Sequence, residues 1–153
     1  MKTILLTILV LGFAACGSSQ NVPSAVLKSF ESRYKKAENV TWSSDKGVFS
    51  ALYKESELVK KSSYQKDGEW IETVTELLVD DLMTCITDYV DDEYMDASIF
   101  EAILMESPET KEYQISIEYL DMDREGDEDM DSEGNVVFTK LIFDTNCEFL
   151  SEE

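Results

Sequence analysis

Hydrophobic and polar positions along the chain change their period several times. Val22-Pro23-Ser24 opens the first patterned segment, and proline is tolerated in a first helical turn because its missing N–H is unpaired there anyway. Val26, Phe30, Tyr34 and Ala37 then recur at i, i+4, i+8 and i+11, which predicts an amphipathic helix. The period next drops to two. Val40 and Trp42 alternate with polar residues, Asp45-Lys46-Gly47 marks a turn, and Phe49, Ala51 and Tyr53 alternate again. A run from Leu58 to Gln65, a hairpin signal at Asp67-Gly68 and a returning run from Trp70 to Val74 complete the first half. The expectation is one helix followed by three or four antiparallel strands.

The second half follows the same order. Leu78, Leu82, Cys85, Ile86, Tyr89 and Val90 form a second helical face. Residues 95–105 read as a strand region, and Pro108 ends it. Tyr113, Ile115, Ile117 and Tyr119 alternate without a break, the mark of a half-buried strand. After an acidic segment come Gly134-Asn135, a strand over 136–143, a turn at Asp144-Thr145-Asn146 and a last short strand at 148–150. Val26, Phe30 and Tyr34 fall on Leu82, Ile86 and Val90 at a constant offset of 56, and Phe143-Asp144-Thr145-Asn146 falls where Tyr64-Gln65-Lys66-Asp67 falls. The expected fold class is therefore α+β: two degenerate helix-plus-antiparallel-sheet repeats, 22–75 and 76–150, with the helices packed on one sheet face. The other face would stay partly open, as antiparallel sheets allow.

Before residue 22 the pattern is of another kind. Lys2 precedes an uncharged, mostly apolar run from Ile4 to Ala15. Twelve residues are too few for about 30 Å of hydrocarbon, which needs roughly 20, and they suit the apolar centre of a signal peptide. The run ends Gly12-Phe13-Ala14-Ala15-Cys16-Gly17-Ser18-Ser19. Small residues before a cysteine resemble the bacterial lipobox, with Phe13 where leucine is usual. That reading makes 1–15 a signal peptide, Cys16 the lipidation site and 16–21 a flexible tether. The competing reading is plain secretion with an incidental cysteine.

Composition removes whole classes of function. The 153 residues contain no histidine, so triads, Cys–His dyads and histidine-ligated metals are excluded. A formal charge of −20 argues against nucleic acid and against anionic lipid surfaces, which leaves the anchor as the only membrane contact. The acidity is concentrated: 17–75 carries nine basic and eight acidic residues, whereas 76–153 carries three and 25. Paired carboxylates alone do not make a glycosidase, and nothing marks a substrate cleft. The chain is expected to be no enzyme.

A resemblance enters at this point. Val22-Pro23-x-x-Val26-x-x-x-Phe30, Val40-x-Trp42, Gly47-x-Phe49-x-Ala51 and Tyr64-Gln65-Lys66-Asp67-Gly68-Glu69-Trp70-x-x-Thr73, behind a lipoprotein signal, resemble the PepSY-like, β-lactamase-inhibitor-protein-like family of small exported Bacteroidota proteins. The resemblance implies tandem helix-plus-sheet units and binding rather than catalysis, with inhibition or modulation of an envelope enzyme as the role. The expected partner is an unidentified envelope protein, and no acidic cluster follows Cys16, so the expected location is lipid-anchored and facing the periplasm. The second half departs from the pattern. Asp80-Asp81 stand where small and proline residues are usual, Cys147 stands where a turn glycine is common, and the acidic hairpin resembles an insertion.

Four groups of residues remain as candidates. Oxygen donors at alternate positions in 121–133, namely Asp121, Asp123, Glu125, Asp127, Asp129 and Asp131, suit Ca²⁺. The twelfth position of an EF-hand loop counted from Asp121 is Ser132 rather than glutamate, so the alternatives are a solvated loop, a weak Ca²⁺ site as the one cofactor, or a docking surface for a basic partner. Cys85 and Cys147 can form a disulfide in an oxidising compartment, or Cys85 can simply fill the core. Tyr53 and Trp70 are core residues or, on an open sheet face, interface anchors. Lys60-Lys61 reads as protection of an edge strand.

Overall fold

The computed structural model describes residues 22–94, 96–121 and 135–153. Helix α1 (Ser24–Arg33) precedes strands β1 (Glu38–Asp45), β2 (Val48–Glu55), β3 (Leu58–Tyr64) and β4 (Trp70–Glu76). A single 3₁₀ turn (Val79–Asp81) leads to α2 (Thr84–Glu93), then β5 (Ser98–Glu106), β6 (Lys111–Asp121), β7 (Asn135–Asp144) and β8 (Phe149–Glu152). All eight strands form one antiparallel sheet in chain order. The α+β class expected from the periodicity is what folds, with helix-then-four-strands occurring twice.

Each helix buries two residues one turn apart, Val26 and Phe30 in α1, Ile86 and Val90 in α2. Val26 and Phe30 pack on Ala51, Tyr53 and Tyr64. Ile86 and Val90 pack on Ala102, Ile115, Ile117, Leu141 and Phe143. Fully burying a side chain of this size contributes about 1.5–3 kcal/mol, so four helical residues hold much of the helix layer in place. The two cores meet across a narrow seam, since β4 and β5 pair only from Thr73–Glu106 to Glu76–Ile103.

Both helices are shorter than their patterns suggest. α1 stops at Tyr34, whose N–H still reaches the Phe30 carbonyl (2.8 Å), and Ala37 packs on the same core from the connecting turn. Before α2, Leu78 is 65% exposed and Leu82 is extended, so neither belongs to the helix. The Leu77 N–H donates to Ala102 O (2.9 Å), which ties this stretch to β5 and postpones the helix to Thr84. The helical offset is consequently 60 and not 56: Val26 matches Ile86, Phe30 matches Val90, and Tyr34 and Tyr94 both cap their helices. A slip of four residues is about one helical turn and leaves the apolar stripe unchanged, so periodicity could not detect it.

The turns between the last two strands of each half also correspond. Gln65 N–H donates to Glu69 O (2.8 Å) and Gly68 N–H to Gln65 O (3.0 Å); Asp144 N–H donates to Glu148 O (2.9 Å) and Cys147 N–H to Asp144 O (3.2 Å). Gly68 and Cys147 both have positive φ, +92° and +68°. Gly68 lies so close to α1 that an added Cβ would stand 2.7 Å from the Ala25 carbonyl oxygen. Cys147 keeps the same backbone turn but carries a side chain toward α2.

Gly68→Ala and Gly47→Ala separate strain from contact, because Gly47 has φ +89° but nothing within 4 Å of an added Cβ. Gly47→Ala is expected to cost about 1–2 kcal/mol, the strain of a left-handed residue. Gly68→Ala is expected to cost about 1–3 kcal/mol more, because α1 must shift. Urea unfolding of the two variants checks this, and equal costs would refute the tight contact.

Candidate interaction face

Strand register sorts the side chains into two faces. Phe49 lies opposite Tyr64, Ala51 opposite Ser62, and Tyr53 opposite Lys60, all under α1. The Tyr53 hydroxyl bonds Ser62 Oγ (2.9 Å), Ser62 Oγ bonds Thr73 Oγ1 (2.8 Å), and the Tyr34 hydroxyl and Trp70 Nε1 (2.9 Å) also reach Thr73 Oγ1. Burial pushes the Tyr53 and Tyr64 hydroxyls well above their ordinary value. Tyr53 is 2% exposed, so it is no surface anchor. Trp70 packs on the same core, with the Arg33 guanidinium 4.0 Å above its ring. Both residues lie on the helix-covered side, which corrects their reading as open-face anchors. Alternation alone gives no sign of which face the helices take.

Lys60 is corrected as well. It sits on β3, which is paired on both sides, and its Nζ lies 2.9 Å from Glu55 Oε2. The ion pair, rather than edge protection, accounts for it.

The opposite face carries no described helix. One row crosses six strands as Thr41, Leu52, Lys61, Val74, Met105 and Glu112. A second row crosses four strands as Ser43, Ser50, Ser63 and Glu72, and Ser63 bonds both Ser50 (3.2 Å) and Glu72 (3.5 Å). Near the other end Ser116 Oγ donates to Glu101 Oε2 (2.9 Å) and Gln114 Nε2 to Glu112 Oε1 (3.0 Å). Among these hydrogen-bonded polar residues stand exposed apolar ones. Leu52 is 50% exposed and Phe138 65%, and Phe138 meets Phe100 edge-on with ring centroids 5.9 Å apart. Large apolar side chains set among satisfied polar groups are the ingredients of a protein interface.

The remaining sequence candidates are placed as follows. Asp121 ends β6, while the other proposed cation ligands, Asp123 to Asp131, lie outside the described residues, as does Cys16. Among the described residues no three acidic or cysteine side chains converge as a metal site. The Cα atoms of Cys85 and Cys147 stand 6.1 Å apart with their sulfurs joined, which ties α2 to the β7–β8 turn. At the helical offset of 60, Cys85 corresponds to Ala25, and Cys147 corresponds by turn geometry to Gly68. A bond therefore stands where the first half has a glycine-to-helix contact. Sequence reasoning missed Phe100 and Phe138. The signal for them was two aromatics on strands whose other face is apolar.

The described chain is thus an α+β protein with a helix-covered face and an uncovered one, and its fold is the BLIP-like fold. A BLIP-like protein from Bacteroides fragilis superposes with a TM-score of 0.68 at 16% identity, covering 89% of each chain. A protein of Bacteroides eggerthii, provisionally described as periplasmic, gives 0.64 at 18% identity over 86% of this chain and 88% of its own. A DUF2874 family protein from Bacteroides ovatus gives 0.63 at 22% identity over 86% of each. No family profile matches the chain, and no curated protein does.

A bond across the 62 residues between Cys85 and Cys147 contributes roughly 4 kcal/mol in the chain-entropy model. Cys85→Ala/Cys147→Ala, or reductant, is expected to lower unfolding stability by about 2–4 kcal/mol. Thiol titration in denaturant should find both sulfurs unreactive until reductant is added. Equal counts with and without reductant would contradict the bond.

Proposed function

We propose that this protein is a non-catalytic, exported binding module, lipid-anchored through Cys16 in the cell envelope, that inhibits or modulates an envelope enzyme through its uncovered sheet face. The observation that carries the reading is the row from Thr41 to Glu112, where Leu52 and the neighbouring pair Val74 and Met105 stand among Thr41, Lys61 and Glu112 across six strands and no described element lies over them. The amino-terminal pattern supports export and anchoring, and the likeness to solved BLIP-like structures supports the family role implied by the sequence. In this reading the two halves are degenerate copies of one helix-and-sheet unit, an origin supported by the matching caps and turns. The Cys85–Cys147 bond is the second copy's substitute for a close glycine contact.

Photo-cross-linking of the full chain in its envelope tests the proposal. A photoreactive residue at Leu52 or Phe138 is expected to capture one stoichiometric protein, and one at Lys28 on α1 is expected to capture none. Leu52→Arg should weaken retention of that protein by about 30-fold, the effect of losing an anchor worth roughly 2 kcal/mol. Equal capture from both faces, or none from Leu52 and Phe138, would contradict the proposal.

A further inference from the structure

Helix α1 ends before it covers β1. Its last buried residue is Phe30, Tyr34 caps it, and the chain drops into the sheet past Ala37, whose N–H donates to Tyr34 O (3.2 Å). β1 then carries an extra residue between Glu38 and Thr41, with Asn39 at φ +55°, and pairs with β2 alone. A cavity of about 440 Å³ is left between the end of the helix and this edge strand. Small-molecule sites run from about 300 to 1,000 Å³. Every residue from Val22 to Tyr94 is described, so the chain that builds the walls is unbroken. The stretch 17–21 before it carries no apolar side chain that could fill the space.

The lining has two parts. Phe30, Tyr34 and Trp42 form an aromatic wall, with ring centroids 5.4 Å apart from Phe30 to Tyr34 and 5.3 Å from Phe30 to Trp42, the second pair edge-on. Val40, 38% exposed, extends it. The charged side chains of the lining are Glu31, in the last turn of α1, and Lys35, just beyond its cap. Both are exposed, and among the described residues neither is in an ion pair. The lining therefore complements an apolar ring that carries one charge of each sign.

We propose that this cavity binds a free α-amino acid with an aromatic side chain. The ring rests against Phe30, Tyr34 and Trp42, the ammonium meets Glu31, and the carboxylate meets Lys35. Tilted and edge-on ring contacts contribute beyond their buried area. Charge selects the zwitterion. An aromatic acid would bring its carboxylate near Glu31, and an aromatic amine its ammonium near Lys35, so each would satisfy one group and be repelled by the other. An aromatic side chain of a protein brings neither charge. The site lies on the helix side, so it goes beyond the proposed use of the uncovered face and is tested without it.

The test uses the full chain and L-phenylalanine, read at the indole N–H signals in a nitrogen–proton NMR spectrum. The chain has two tryptophans, Trp42 in the cavity wall and Trp70 with its Nε1–H held by Thr73 Oγ1. Phenylalanine is expected to shift the Trp42 signal saturably, with a Kd of about 1 mM or tighter, and to leave that of Trp70 in place. Hydrocinnamate, which lacks the ammonium, and phenethylamine, which lacks the carboxylate, should each bind about fivefold more weakly, the size of a partly exposed ion pair. Phenethyl alcohol, with neither charge, should bind more weakly than phenylalanine too. Glu31→Gln should weaken phenylalanine and phenethylamine but not hydrocinnamate. Lys35→Gln should weaken phenylalanine and hydrocinnamate but not phenethylamine. Both side chains are exposed, so neither change disturbs the fold. No saturable shift of Trp42, equal shifts at both tryptophans, or equal affinity for phenylalanine and phenethyl alcohol would overturn the proposal. Tighter binding of hydrocinnamate than of phenylalanine would overturn it in favour of an anionic ligand, and tighter binding of phenethylamine in favour of a cationic one.

Discussion

Among the described residues, two helices of ten residues cannot cover both faces of an eight-stranded sheet. Val26 and Phe30 on one, Ile86 and Val90 on the other, commit both helices to the same side. From that commitment follow the two cores, the burial of Tyr53 and Tyr64, and an opposite face made of the alternate residue of every strand. Apolar burial is nondirectional, so it holds the layers together without fixing their register. The polar groups add that. Thr73 Oγ1 is met by Tyr34, Ser62 and Trp70, and leaving such buried partners unpaired would cost about 1–3 kcal/mol each.

The second half solves the same problem with other residues. Tyr94 caps α2 as Tyr34 caps α1, but its hydroxyl donates to Glu152 Oε2 (3.0 Å), where that of Tyr34 is bonded to a threonine hydroxyl. Burial, and then this carboxylate, raise the Tyr94 hydroxyl above its ordinary value. Glu152 Oε1 also accepts from Thr139 (3.0 Å). Where α1 rests on Gly68, α2 is bonded to Cys147. Each half thus fixes its helix at the C-cap and at the first turn, once by close contact and once by charge and a covalent link.

Much of this was legible in the residues. Unbroken alternation from Tyr113 to Tyr119 marks β6 because one face is buried and the other is not. Turn chemistry at Asp67-Gly68 and Asp144-Thr145-Asn146 marks two hairpins. Other features were not legible. The side each strand turns to the helices depends on where α1 and α2 land, and a period of two is silent on that, so Tyr53 and Trp70 read as open as easily as buried. Lys60 gave no sign of its ion pair, because β3 becomes interior only once β4 folds back along it. Leu78 and Leu82 keep a helical spacing while lying in a segment tied to β5. Phe100 and Phe138 escaped notice because they meet only across three strands.

Hydroxyl-radical footprinting of the full chain, purified and then in its native envelope, tests the two-faced account most directly. It predicts that Leu52, Met105 and Phe138 lose oxidation in the envelope while Leu27 on α1 and Tyr89 on α2 keep theirs. Unchanged oxidation at Leu52, Met105 and Phe138, or protection confined to the helix side, would contradict it.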